Sequence, residues 1–425
     1  MKTTLFWAIA MVATGLFTAC NSDDNEPVAV SGITIDPPTL ELSIGRTETL
    51  AATLTPENAT DPTVEWSSNY TDIATVDDAG NVTALKKGDA TITAKAGNVT
   101  ATCLVTVKEP TVYVAGYIGN VATIWKNGEP ISLTDGKNVA SAKCVYVSGS
   151  DVYVTGTERE EGKLGAKLLF WKNGTPTTLT DGKHLADFTS QSIAVSGNDV
   201  YVVGTERNDA YNNVAILWKN GVRKNLTDGT GDAYAYAVFV SGTDVYVGGL
   251  QYNAAKAHNE ATVWKNEDAP VILDKDHYIS NINSLFVSDG NIYAAGYTES
   301  SMTSPSVATL WENNTPKALS DGTKNTYTSS IFVSGNDVYI AGNEMIDTTH
   351  CIAILWKNGV RTNLSDGAMK TEAYSVYVLG NDVYVAGSEL NFEKGKYTAI
   401  LWKNGVRTNL TDGTVNARAN SVFIH

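Results

Sequence analysis

Several kinds of chemistry are missing from this sequence. Four cysteines and five histidines occur in 425 residues, and none falls in the C-x-x-C or C-x-x-H spacing that a zinc site needs. There is no G-x-S-x-G elbow, no H-E-x-x-H helix and no glycine-rich phosphate loop. Bases are in the minority: 31 Lys and Arg stand against 46 Asp and Glu, a formal net charge of -15 without a basic stripe. That balance argues against nucleic acid as a partner and against docking onto anionic lipid headgroups. The apolar stretch from Leu5 to Leu16 is too short to span a bilayer. The sequence therefore assigns no catalytic residue, no metal ligand and no cofactor.

What the chain does have is a tryptophan at nearly constant spacing: Trp125, Trp171, Trp218, Trp264, Trp311, Trp356 and Trp402, most of them in the phrase W-K-N-G. A fixed period of about 46 residues marks a repeat architecture. Within one unit, Ser375 to Gly413, short runs of Val, Ile, Tyr, Phe and Trp are bounded by Gly, Asn and Asp. That is a strand signal, and no segment shows the 3,4 spacing of a helix. Asn-Gly after the tryptophan supplies the two positive-φ positions of a type I′ hairpin turn. Each unit thus reads as four antiparallel strands, termed a to d, and the length fits a propeller blade. The region opens at Val112–Gly116 in the manner of strand b and closes at Ser421–His425 in the manner of strand a. The last strand is therefore expected to complete the first blade, which removes exposed edges. The expected fold is all-β, with a seven-bladed propeller over residues 111–425.

Residues 1–19 read as a targeting segment with a basic start at Lys2. The following Phe17-Thr18-Ala19-Cys20 resembles a bacterial lipobox, which implies lipidation at Cys20; phenylalanine replaces the usual leucine at its first position. Asn21–Glu26 resembles the acidic tether of surface lipoproteins of the Bacteroidota, and residues 20–30 are assigned to that tether. The resemblance implies an outer-membrane lipoprotein exposed at the cell surface, in contact with membrane only through its lipid. In residues 31–108, the stretch G-N-V-T-A-L-K-K-G-D-A-T-I-T resembles the bacterial Ig-like group 2 family. About seven short strands with turn residues every eight to twelve positions fit a β-sandwich, with Trp66 as its expected core anchor.

Loop length points to one face of the propeller. The a–b turns are short and uniform, as are the c–d turns. The b–c loops, such as 158–166, 206–213, 251–260 and 344–351, are longer and unlike one another, and variable loops carry function. On the same face, seven residues precede a small inner-strand position: Lys143, Gln191, Tyr236, Asn283, Ser329, Tyr374 and Asn420. They are expected to ring the channel mouth as a candidate ligand site. Amides beside aromatics suit hydroxyl-rich ligands, so the expected partner is an extracellular glycan or protein and the expected role is non-catalytic binding. Two alternatives stand beside it: a polysaccharide hydrolase or lyase with catalytic groups on scattered loops, and a structural surface spacer. A recurring glutamate after the strand-b glycine, Glu158, Glu206, Glu344 and Glu389, reads as structural. Cys144 reads as a small core residue, because Ser192, Ala237, Ser284, Ser330, Ser375 and Ser421 fill its position elsewhere.

Overall fold

The computed structural model describes residues 27–188, 192–266 and 268–425. Cys20 and Gln191 therefore lie outside the described residues. The described chain is built of strands without a helix. It packs as two compact units, one comprising the residues up to Leu42 with Thr47–Val107, the other Ser43–Arg46 with Lys108–His425.

The first unit holds nine strands rather than about seven. Thr39–Ser43, Val99–Lys108, Gly88–Ala96 and Glu65–Ser68 form one sheet; Thr47–Thr49, Asn81–Ala84 and Ala74–Val76 form another, and Gly32–Asp36 pairs with Ala51–Thr55. Alternation decides what is buried: Ala90, Ile92, Ala94 and Ala96 point inward from one strand, Cys103, Val105 and Val107 from its neighbour. Trp66 is not the core anchor expected from the sequence. It is half-buried and lies over Gly80, where an added Cβ would stand 3.0 Å from the indole.

In the second unit, the described strands pair as seven antiparallel groups of four, each built around one of the spaced tryptophans. In the third group, the described parts of strand a are Ala186–Asp187 and Ile193–Ser196. In the first group, strand a is the last strand of the chain: Ala417–Ile424 pairs with Val112–Ile118. Single parallel pairs, Asn259 with Ile279 and Cys351 with Lys370, link neighbouring groups. The inner strands converge on one axis. Tyr146, Phe423, Tyr377, Phe332, Phe286 and Phe239 follow one another around it with ring centroids 4.6–5.1 Å apart. Together with neighbouring residues that include Ala194, they line a cavity of about 280 Å³. This convergence is the geometry of a propeller-type fold.

The tryptophans fill the spaces between groups. Six are at most 1% exposed and Trp264 is 5% exposed. Burying roughly 150–250 Å² each stabilises the fold by about 4–6 kcal/mol at 25 cal/mol per Å². In six of the seven the indole N–H has no acceptor, at a cost of about 1–3 kcal/mol. Apolar burial wins.

Serines tie the inner strands together. The hydroxyl of Ser284 accepts from the Ile331 N–H, Ser330 from Val376, Ser375 from Val422 and Ser421 from Val145, at 2.8–3.4 Å. Each bond runs from one group to the next, and the last crosses from the end of the chain to the second group. Cys144 occupies the same position, and burial pushes its thiol up to about 11.

Candidate functional site at the channel mouth

The two faces of the propeller unit are built differently. On the turn face, the K-N-G asparagines adopt φ of 51–53°, with Asn266 and Asn313 at 50° and 47° in the equivalent turns, and lock the hairpins. The Asn173 carboxamide accepts from the Val152 N–H and donates to Asp151, and Lys172 pairs with Asp151 at 2.7 Å while lying over the Tyr153 ring. The same Asp–Lys–Tyr–Asn cluster recurs around Asp199, Asp244, Asp337 and Asp382. The repeated phrases of the sequence thus spend their polar groups on one another.

The opposite face carries the candidate residues, and there the structure departs from simple strand starts. The ladder slips by one residue between Ala142 and Cys144, Ala235 and Ala237, Ile282 and Ser284, Thr328 and Ser330, and Ala373 and Ser375. It slips likewise opposite Ala115 and Gly116. The unpaired extra residues are Lys143, Tyr236, Asn283, Ser329, Tyr374 and Asn420: each is a β-bulge inside strand a. A bulge re-aims a side chain that regular alternation would place elsewhere. The strand-b glycine makes it possible. A Cβ on Gly296 would stand 1.7 Å from the Asn281 carbonyl oxygen, and the equivalents on Gly116, Gly249, Gly387, Gly342 and Gly156 only 1.8–2.3 Å from theirs. At four of them the tryptophan ring also fills the place a side chain would take: an added Cβ would stand 2.7 Å from the indole at Gly156, Gly342 and Gly387 and 3.0 Å at Gly116.

The six bulged side chains do not share one environment. Lys143 pairs with Asp187 at 3.2 Å. Asn420 is turned to its neighbour, donating to Ser141 Oγ and the Ala142 carbonyl. Ser329 Oγ accepts from Asn343, whose carboxamide also bonds the Ala373 backbone in both directions. Tyr374 is drawn into a closed cluster: its hydroxyl donates to Glu372 Oε2 at 2.8 Å and meets Ser388 Oγ at 3.1 Å. Arg418 lies over both Tyr374 and Tyr397, 4.0 Å from the latter's centroid, and 3.8 Å from Glu372.

Tyr236 and Asn283 adjoin one depression. With Asn281, Tyr297, Tyr327, Thr328 and Ser329 they line this space of about 410 Å³. Tyr236 is also the wall of a second hollow of about 350 Å³, whose other side includes Asp187, Asn213 and Tyr234. Tyr234 and Tyr236 stack at 5.8 Å and 20°, while Tyr297 and Tyr327 meet edge to face at 5.1 Å. Burial pushes the Tyr236 and Tyr297 phenols above their usual range, so both stay neutral. Sequence reasoning missed Tyr234, Asn281, Tyr297 and Tyr327. The signal was present two residues before each bulge and one after each strand-b glycine.

The recurring glutamates serve the scaffold, as the sequence suggested. Glu206, Glu344 and Glu389 bind Arg223, Arg361 and Arg407 of strand d at 2.5–2.8 Å, and Glu158 accepts from Asn138. A histidine lies beside a carboxylate at Glu260, whose Oε1 receives Asn253, Lys256 and His258. Burial opposes its ionisation, but these three bonds together hold the carboxyl below its usual range. Among the described residues no group of three or more His, Cys, Asp or Glu could hold a metal ion.

Residues 29–107 match the bacterial Ig-like domain (group 2) family. An uncharacterized protein of Clostridium acetobutylicum is 35% identical over 113 residues, covering 25% of this chain and 12% of the relative. The 3-O-alpha-D-galactosyl-alpha-L-arabinofuranosidase of Bifidobacterium longum subsp. longum is 33% identical over 99 residues, 22% of this chain and 9% of that enzyme. The chain thus matches only a small part of these relatives' length. Among solved structures, the β-propeller domain of the Trilobed protease from Pyrococcus furiosus aligns with 91% of this chain and 99% of its own, at 11% identity and a TM-score of 0.42.

Proposed function

We propose that this chain is a non-catalytic recognition module at the outer surface of a bacterial cell, presenting the channel mouth to a glycan or protein ligand. The observation that carries this reading is the row of six bulges. A ladder without bulges would be simpler, yet six groups interrupt it to aim polar or aromatic side chains at one face. The turn face is locked by repeated ion pairs and offers no comparable variety.

Binding is favoured over hydrolysis by what the nearby carboxylates do. Glycoside hydrolysis needs two carboxyl groups set about 5–10 Å apart around a scissile bond. Glu372 is held by Tyr374, and Asp187 faces Lys143. The Ig-like domain would act as a spacer and a lipid on Cys20 as the anchor. No helix among the described residues is long and apolar enough to cross a membrane.

Two experiments test the reading. An array of glycans and secreted proteins, probed with the purified chain, should retain it on a defined ligand; product release from a polysaccharide panel would favour the enzyme instead. Palmitate labelling should mark wild type and not Cys20→Ala, and equal labelling of both would remove the anchor.

A further inference from the structure

We propose that the depression between Tyr236, Tyr297 and Tyr327 is a subsite for an uncharged pyranose, gripped through a vicinal diol by the side-chain amide of Asn283. This rests on the binding reading above and narrows it to one place and one class of ligand.

The first argument is charge. No residue lining the depression is an acid or a base of the Asp, Glu, Lys, Arg or His kind, and burial pushes the Tyr236 and Tyr297 phenols up. Two carboxylates act on the lining tyrosines: Glu299 on Tyr297, where it accepts from the Ser306 hydroxyl, and Asp187 on Tyr236, where it faces Lys143 at 3.2 Å. A uronate or sulfated sugar would enter with a charge that nothing here balances, and burying an unpaired charge is costly. A neutral sugar meets no such penalty.

The second argument is donor and acceptor arithmetic at Asn283. Its Nδ2 donates one hydrogen to the Thr328 carbonyl at 2.7 Å, and its Oδ1 accepts one from Asn281 Nδ2 at 2.8 Å. An amide nitrogen carries two hydrogens and an amide oxygen two lone pairs. One donor and one acceptor remain, side by side on a half-buried group whose orientation is fixed by the two bonds already made. Adjacent hydroxyls on a sugar ring, one accepting and one donating, are the complement of that pair. A lone hydroxyl would use half of it.

The third argument is shape. About 410 Å³ lies within the roughly 300–1,000 Å³ of small-molecule sites. Tyr297 and Tyr327 stand edge to face, so at least one ring can present its apolar plane to the C–H face of a sugar while its hydroxyl reaches outward. Of the bulged residues, Tyr236, Asn283 and Ser329 line this space, and the Ser329 hydroxyl already accepts from Asn343. Lys143, Tyr374 and Asn420 are each engaged by named neighbours.

The test is calorimetric titration of the purified chain with two probe sets: neutral gluco-, manno-, galacto- and arabino-oligosaccharides, and uronate oligosaccharides. A neutral probe should bind wild type. Asn283→Asp, nearly isosteric but with no donor to offer, should weaken it at least tenfold, and Tyr327→Ala likewise. Lys357→Ala, on the turn face, should bind within twofold of wild type, and Asn420→Ala probes the mouth away from this depression. Unfolding curves for each variant separate loss of the site from loss of the fold; Tyr327→Phe keeps the ring and should retain binding if Asn283→Asp proves unstable. Preference for uronate probes, absence of any neutral binder, or tight neutral binding by both Asn283→Asp and Tyr327→Ala would overturn the subsite. If a ligand is instead lost in Asn420→Ala alone, the mouth still binds and only this assignment falls. If no mouth variant weakens an observed ligand, the broader reading falls with it.

Discussion

Replacing Gly296 by alanine is the sharpest test of how the mouth is built. The new Cβ would stand 1.7 Å from the carbonyl oxygen of Asn281, 2.7 Å from its carbon and 3.1 Å from Ile282 Cα. All three are backbone atoms, so no side chain can swing aside. To reach the 3.0 Å that real Cβ atoms keep, the bulged strand must retreat by about 1.3 Å at this point. Ordinary overpacking costs about 1–3 kcal/mol, and a forced backbone shift in a paired inner strand belongs at the upper end. We expect a loss of about 3 kcal/mol or more. Gly231→Ala is the control, because its nearest atom is 3.9 Å away and its φ is not positive; it should stay within about 0.5 kcal/mol of wild type. Urea unfolding followed by tryptophan fluorescence reads the difference, since seven of the nine tryptophans lie in the propeller unit. Gly156→Ala, at 2.3 Å, should fall between the two. If Gly296→Ala unfolds with the midpoint of Gly231→Ala, the glycine is not what permits the bulge and the account of the mouth is wrong.

Three further outcomes follow from the same geometry. Ser375→Ala removes the acceptor of the buried Val422 N–H and should destabilise by about 1–3 kcal/mol; an unchanged urea midpoint would mean the serine ring is incidental. Burial raises the Cys144 and Cys351 thiols to about 11 and about 12, so a disulfide reagent at pH 8 should label them only after unfolding, and rapid labelling of native protein would contradict their placement. The carboxyls of Asp151, Asp199, Asp244 and Asp337 are lowered, first by hydrogen bonds from their lysines and then from their asparagines. A lowered folded-state pKa contributes stability above the unfolded value near 3.9, lost as pH falls through the lowered one. Stability should therefore decline below about pH 4, and Asp337→Asn should flatten that decline; an unaltered acid slope would show that these pairs contribute nothing.

The scaffold was legible because its cues are local. Asn-Gly after five of the seven spaced tryptophans announces a turn that only residues tolerant of positive φ can make, and the hairpins formed there. The small position of Cys144 and Ser375 was visible as a repeated column, and its burial followed from crowding at the axis. The bulges were half visible. A glycine in every strand b and a polar residue before every small one are both in the sequence, but their connection is a contact across two strands that spacing alone does not reveal. Trp66 misled because a large aromatic in a sandwich suggests its centre, whereas it lies half-buried against Gly80. The b–c loops were drawn too long: strand b runs on to Asn253 and strand c resumes at His258, so polar residues assigned to a loop belong to a hairpin. Tyr374 and Tyr236 look equivalent in sequence. Glu372 and Arg418 engage the first, and only three-dimensional neighbours distinguish it from the second.

The central claim is that ligand is met at the bulged mouth and not at the locked turn face. It is tested most directly by one retention measurement on two double variants, Tyr236→Ala with Asn283→Ala at the mouth, and Lys265→Ala with Lys357→Ala on the turns. Using the ligand that retains wild type on the array, the mouth pair should lose retention while the turn pair keeps it, with both variants folded by tryptophan fluorescence. Retention kept by the mouth pair and lost by the turn pair would place the binding face on the opposite side of the propeller unit and contradict the account.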